Sequence, residues 1–157
     1  MTPGDDSAIF YTDIGKVGSL ICFDSIYETL ARDSVKDGAE LIAISTNDSW
    51  FSDSAAIYMH NNQARLRAIE CGRYVARAAN TGVSSFITDT GIILGEISPL
   101  TDGYLCAEVY LSDSRTLYSL VGNLFVYLCG ISITIPFAYE IYDKKLKKTK
   151  FANNNIQ

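Results

Sequence analysis

The sequence predicts an α/β domain followed by one membrane-crossing helix. Three observations carry that expectation: apolar runs of strand length alternate with a helical period over residues 8–44, a run containing no Pro and only Gly72 follows from Ser54 to Ala79, and residues 116–139, 24 in all, carry no charge. Hydrophobic residues make up 48% of the 157 and charged residues only 20%, which excludes disorder and exceeds what one water-surrounded domain needs. The length allows one ordinary domain.

Ala8–Thr12 and Gly18–Phe23 read as strands joined by a turn at residues 13–16, and Ser19-Leu20-Ile21-Cys22-Phe23 is apolar enough to be covered on both faces. Ser25-Ile26-Tyr27-Glu28 has the S-x-x-E form of a capping box, so a helix is expected from there until Asp37-Gly38 stops it. Leu41–Ile44 is the next strand, ending in a polar loop at Ser45–Ser49, and strand, helix, strand at these lengths makes a βαβ unit. Ala64, Ala68, Cys71, Val75 and Ala79 recur at steps of three and four and predict one long helix over 54–79, closed by Asn80-Thr81-Gly82. Three strands are expected after it, at Ser84–Thr90, Ile92–Ile97 and Tyr104–Leu111. The domain is expected over residues 1–113.

The uncharged interval, at about 1.5 Å per residue, spans a hydrocarbon core roughly 30 Å thick, so residues 116–142 are expected to be a transmembrane helix. Tyr118, Tyr139 and Tyr142 stand near its ends, as an aromatic belt would, and Pro136 kinks it without forbidding the span. All 18 acidic residues precede Lys144, and five lysines fall in the last fourteen positions. A basic flank directly after a span stays in the cytoplasm, so residues 143–157 are expected to be a cytoplasmic tail and the acidic domain extracytoplasmic. That acidic body also sets nucleic acid aside as a partner, because phosphate binding needs a basic face. Residues 1–6 have neither the basic region nor the apolar core of a signal peptide.

Cys22, Cys71, Cys106 and Cys129 are separated by 49, 35 and 23 residues, far from metal or redox spacings, which argues against zinc. Cys106 in an expected buried strand and Cys129 in an apolar stretch favour free thiols. Cys22 is the candidate nucleophile. It ends an apolar strand just before a capped helix, where ligands collect in α/β sheets; helix amides stabilise a thiolate there, and the backbone N–H groups beyond it can bind an oxyanion. Spacing alone leaves open the alternative that Cys22 is a small core hydrophobe.

Leu20-Ile21-Cys22-Phe23-Asp24-Ser25, Ser45-Thr46-Asn47-Asp48-Ser49-Trp50-Phe51, His60, Arg67-Ala68-Ile69-Glu70 and Asn80-Thr81-Gly82 together resemble, in order and spacing, the second half of a carbon-nitrogen hydrolase (nitrilase-superfamily) domain. Within that superfamily the N-D-x-W-F loop, and the apolar helix entered through Leu117-Tyr118 and Gly122-Asn123, are similar to the apolipoprotein N-acyltransferase family. The resemblance runs from about Thr2 to Lys148. It implies half of an αββα sandwich, a cysteine thioester and no cofactor. It further implies a phospholipid acyl donor, a diacylated apolipoprotein as acceptor, and the bacterial inner membrane as location. Cys22 matches the nucleophile, Phe23 the donor of an oxyanion-binding N–H, and Asp24 a position where the family often has glutamate, one methylene longer. Trp50 and Phe51 match a pair near the acyl pocket, where core packing and substrate contact remain equal readings.

The family's mechanism also uses a glutamate base and an oxyanion-binding lysine before the cysteine. Here the only earlier lysine is Lys16 and no glutamate precedes Glu28. The expectation is therefore a carboxyl-terminal piece of such an enzyme, inactive by itself. The alternatives are an amidase of the same superfamily, which the apolar span disfavours, and a non-catalytic membrane-anchored half domain. His60, the only histidine, reads as structural because the family's base is a glutamate. Arg67, Glu70 and Arg73 read as helix pairs worth about 0.2–0.5 kcal/mol each. Arg77 reads as a solvated or sheet-covering residue rather than a phosphate ligand.

Overall fold

A computed structural model describes the backbone of residues 7–154 and the side chains of residues 7–145; residues 1–6 and the side chains of Lys147, Lys148 and Lys150 lie outside the described residues. The chain forms two units, residues 1–120 and 121–157.

The first unit is built on a six-stranded sheet in the order β1 to β6. β1 (Ile9–Thr12) and β2 (Gly15–Ile21) form an antiparallel hairpin about a turn at Asp13 and Ile14. β2, β3 (Leu41–Asn47) and β4 (Val75–Asn80) are parallel, because α1 (Glu28–Lys36) and α2 (Ala55–Cys71) carry the chain back between them. β5 (Ser84–Ile87) and β6 (Ile93–Ile97) return antiparallel to β4. The parallel register, Leu20 beside Ile44 and Ile42 beside Val75, puts Leu20, Ile42, Ile44, Val75 and Ile87 on one face. There they bury against Ala31 and Val35 of α1 and Ala64, Ala68 and Cys71 of α2. The opposite face carries Val17, Ser19, Ala43, Ala76, Ser84 and Phe86, all half-buried. A shallow concavity on it is lined by Ala43, Ala76, Phe86 and Leu105.

Four expectations need correction. Ser25 does not cap α1: its N-cap is Tyr27, with no side-chain bond, and a 3-10 turn at Cys22–Ile26 precedes it. β3 runs on through Thr46 and Asn47, which had read as loop. The helix expected over 54–79 ends at Cys71, because Gly72 adopts a left-handed conformation (φ 61°, ψ 43°) and its N–H donates to the Ala68 carbonyl. Val75 and Ala79 are therefore strand residues, and the three-and-four spacing across the boundary is coincidence. Residues 104–111 form no strand among the described residues, although half-buried Leu105, Ala107 and Val109 alternate with exposed neighbours, so Cys106 is exposed rather than in a buried strand.

The apolar C-terminal segment starts with a short helix, α3 (Leu117–Val121), broken from α4 (Leu124–Asn154) at Gly122, where φ is 57°. Leu124–Lys145 of α4 is long and apolar enough to cross a membrane, with mean hydropathy 1.7 and none of its residues buried. Pro136 lies inside this helix.

Candidate active site

Three parallel strands end together, and the residues just past their carboxyl ends build the site. Cys22 follows β2, Asp48 follows β3, and Asn80 closes β4. Asn80 Nδ2 donates to Asn47 Oδ1 at 3.3 Å, tying the ends of β3 and β4.

Cys22 is half-buried and has φ 54°, a left-handed conformation that a non-glycine residue adopts at a cost of about 1–2 kcal/mol. Several groups hold it there. The Ile21 N–H donates to Asp24 Oδ2 at 3.0 Å, so Asp24 braces the backbone before the cysteine. Ser25 Oγ donates to the Cys22 carbonyl at 2.8 Å, and His60 Nε2 approaches the same carbonyl at 3.3 Å and Ser25 Oγ at 3.1 Å. From α2, Arg67 donates to the Ile26 carbonyl at 2.7 Å and pairs with Glu70 at 2.7 Å.

Behind the cysteine runs a buried polar chain. His60 Nδ1 lies 2.8 Å from Asp48 Oδ1, Thr46 Oγ1 donates to the same oxygen at 2.9 Å, and Arg77 donates to Asp48 Oδ2 at 2.7 Å. The Asp48 side chain is fully buried, His60 and Arg77 nearly so. An unpaired carboxylate there would be prohibitive, and the two-sided pairing makes it tolerable. Burial pulls the Arg77 guanidinium below its ordinary value, an effect opposed by Asp48 and by the nearby Cys22 sulfur. Gly82 permits the arrangement: a Cβ at that position would stand 2.1 Å from Asp48 Oδ2.

Phe23, Phe51 and His60 form a ring cluster, with Phe23 stacked on His60 at 5.5 Å and Phe51 edge-on to it at 5.9 Å. Phe23 is 49% exposed and Trp50, beside Phe51 in a short 3-10 turn, is 85% exposed. Trp50 is thus not a core residue, while Phe51 packs against the Phe23 and His60 rings.

The other cysteines differ. Cys71 is fully buried in the core, and desolvation pushes its thiol up to about 11; Cys106 and Cys129 are exposed. All four are free. Among the described residues no group of three or more His, Cys, Asp or Glu is placed to hold a metal ion.

Two readings of charged residues change. Arg73 is no helix partner of Glu70 but a fully buried residue that donates to the carbonyls of Ala39 at 2.7 Å and Ser114 at 2.5 Å. Arg77 is not a solvated residue; it anchors the Asp48 carboxylate. Ser25, Asp48, Arg77 and Gly82 carried no functional expectation of their own, and His60 only a structural one. A lone histidine on the buried face of α2, together with an aspartate directly after a parallel strand, was the signal available.

Residues 1–118 match the family described as carbon-nitrogen hydrolase. The chain belongs to that family. Its sequence is similar to proteins named apolipoprotein N-acyltransferase: it is 34% identical over 141 residues to the one from Geobacter metallireducens, covering 88% of this chain and 27% of that protein. To the one from Synechocystis it is 32% identical over 141 residues, covering 90% and 27%. The chain thus spans about a quarter of the length of these relatives. Among solved structures, a carbon-nitrogen hydrolase from Helicobacter pylori superposes with a TM-score of 0.56 at 21% identity, over 62% of this chain and 41% of that one, a likeness of fold.

Proposed function

We propose that these residues are part of a membrane acyltransferase in which Cys22 takes a fatty acyl chain from a phospholipid as a thioester and passes it to the N-terminal amine of a diacylated apolipoprotein. The observation that carries this reading is Cys22 itself, turned into a left-handed conformation at the carboxyl end of β2 by bonds to its own carbonyl.

In the first half-reaction the Cys22 sulfur attacks the ester carbonyl carbon, the C–O bond breaks, and the thiol proton leaves with the lysophospholipid alcohol. In the second, the amine nitrogen attacks the thioester, the C–S bond breaks, and an amine proton returns to Cys22. The Phe23 N–H donates to the oxyanion in both. Phe51 and exposed Trp50 line the approach for the acyl chain.

The glutamate base and oxyanion lysine of the resemblance are supplied from outside this chain. Lys16 does not serve, because it lies six residues back along β2, about 20 Å from Cys22, with its ammonium over the Tyr11 ring. Residues 1–157 alone should accordingly not turn over. The apolar α4 favours this reading over an amidase, with the acidic domain outside the cytoplasm and the basic end of α4 inside.

The test is mass spectrometry of the complete enzyme, with the glutamate and lysine present, incubated with mixed phospholipid in detergent. An acyl mass adduct should form and be lost in Cys22→Ser but persist in Cys71→Ser, Cys106→Ser and Cys129→Ser. An adduct at wild-type level on the Cys22→Ser protein refutes it.

A further inference from the structure

The peptide between Cys22 and Phe23 has two ends. Its N–H, on Phe23, is the oxyanion donor of the proposed reaction; its carbonyl oxygen, on Cys22, is the acceptor on which Ser25 Oγ and His60 Nε2 converge, at 2.8 and 3.3 Å. A trans peptide is planar, with C=O and N–H pointing in opposite directions, and no peptide bond described here is cis. Whatever fixes the carbonyl therefore fixes the direction of the N–H.

Cys22 would not keep this orientation unaided. At φ 54° the residue sits in a region that side chains other than glycine leave when released, and relaxation toward the extended region swings the Phe23 N–H away. The grip comes from a chain of groups buried behind the cysteine. His60 bridges the two acceptors, with Nε2 3.3 Å from the Cys22 carbonyl and Nδ1 2.8 Å from the Asp48 carboxylate. Asp48 is in turn held by Arg77 and Thr46. Hydrogen bonds to a carbonyl also polarise its peptide, which strengthens the N–H as a donor.

We propose that Arg77, Asp48, His60 and Ser25 form a positioning relay that aims and polarises the Phe23 N–H at the oxyanion. His60 is thus a positioning residue, neither the reaction's base nor a passive core histidine. The inference rests on the reading of Cys22 as the residue that is acylated.

The test separates oxyanion chemistry from thiol chemistry. Acylation of Cys22 by p-nitrophenyl butyrate passes through an oxyanion; alkylation by iodoacetamide displaces iodide at a saturated carbon and does not. Both rates are measured by mass spectrometry of the complete enzyme in detergent. Removing one oxyanion donor outright costs about 10²–10³-fold, so His60→Asn, which keeps only the Asp48 contact, should slow acylation about 10- to 100-fold, Ser25→Ala about tenfold, and His60→Gln, which keeps a donor for the Cys22 carbonyl, less than about threefold. Iodoacetamide labelling of Cys22 should be unchanged in all three. Acylation at wild-type rate in folded His60→Asn overturns the proposal, as does a parallel fall of both rates, which marks a merely structural histidine. If His60→Asn does not fold, Ser25→Ala decides by the same two criteria. Wild-type acylation by the activated ester without any from phospholipid removes the acyl-donor reading and leaves the relay standing; no acylation of Cys22 by either ester overturns both.

Discussion

Asp48 is the residue on which the site's electrostatics turn. Its carboxylate is fully buried between His60 and Arg77, so Asp48→Ala leaves a guanidinium and an imidazole without their acceptor. Breaking a buried pair by removing one partner costs about 3–5 kcal/mol, and we expect a loss of that size in denaturant unfolding followed by circular dichroism. A change under about 1 kcal/mol would mean that water reaches the cluster and the pairing matters little. The thiols give a second check at this scale. Cys71 is buried with its thiol pushed up to about 11, so at pH 8 it should resist iodoacetamide until the protein is unfolded, while exposed Cys106 labels at once. Burial raises this group, so the folded state favours the protonated thiol. That contribution is complete below pH 9 and is lost as pH rises through about 11.

Among the elements, α2 does most to place the site, since Ile57, His60, Asn61, Ala64, Arg67, Ala68 and Cys71 on one stripe face the sheet and the turn after Cys22. Its length is set by Gly72. An alanine there would have to adopt φ 61° and bring its Cβ to 2.8 Å from Thr116 Cγ2, so Gly72→Ala should destabilise by at least about 1–2 kcal/mol in the same unfolding measurement. Gly82→Ala acts differently, through the close approach of Asp48. We expect it to slow Cys22 acylation together with stability, because the carboxylate must move to admit a Cβ. The missed end of α2 has an instructive cause. Ala76, Ala78 and Ala79 suit helix by propensity, and only their pairing with Ala43, Ser45 and Thr46 of β3 makes them strand.

In the first unit the sheet has one face covered by helices and one left half-exposed, with Val17, Ala43, Ala76 and Phe86 on it, and in the second the apolar residues of α4 are exposed. Apolar surface of that extent drives association. Residues 1–157 expressed alone should therefore elute as aggregate in plain buffer and as a defined species only in detergent; a monodisperse, cooperatively melting protein without detergent would contradict this. The topology has its own test. A tag at the carboxyl terminus should survive protease added to intact spheroplasts and be digested only after lysis.

The sequence by itself determined the alternation of strands and helices, the family through its cysteine and tryptophan motifs, and the apolar α4, because these depend on local period and on residue type at fixed spacing. It could not determine which polar residues face inward. Asp48, His60 and Arg77 lie 12 and 17 residues apart along the chain on a loop, a helix and a strand, and Ser25 bears the pattern of a helix cap. Only the parallel pairing of β2, β3 and β4, with α2 laid across them, brings these side chains into hydrogen-bonding distance behind the Cys22 carbonyl. Contact between distant residues is decided by backbone register and packing, which local propensity does not encode.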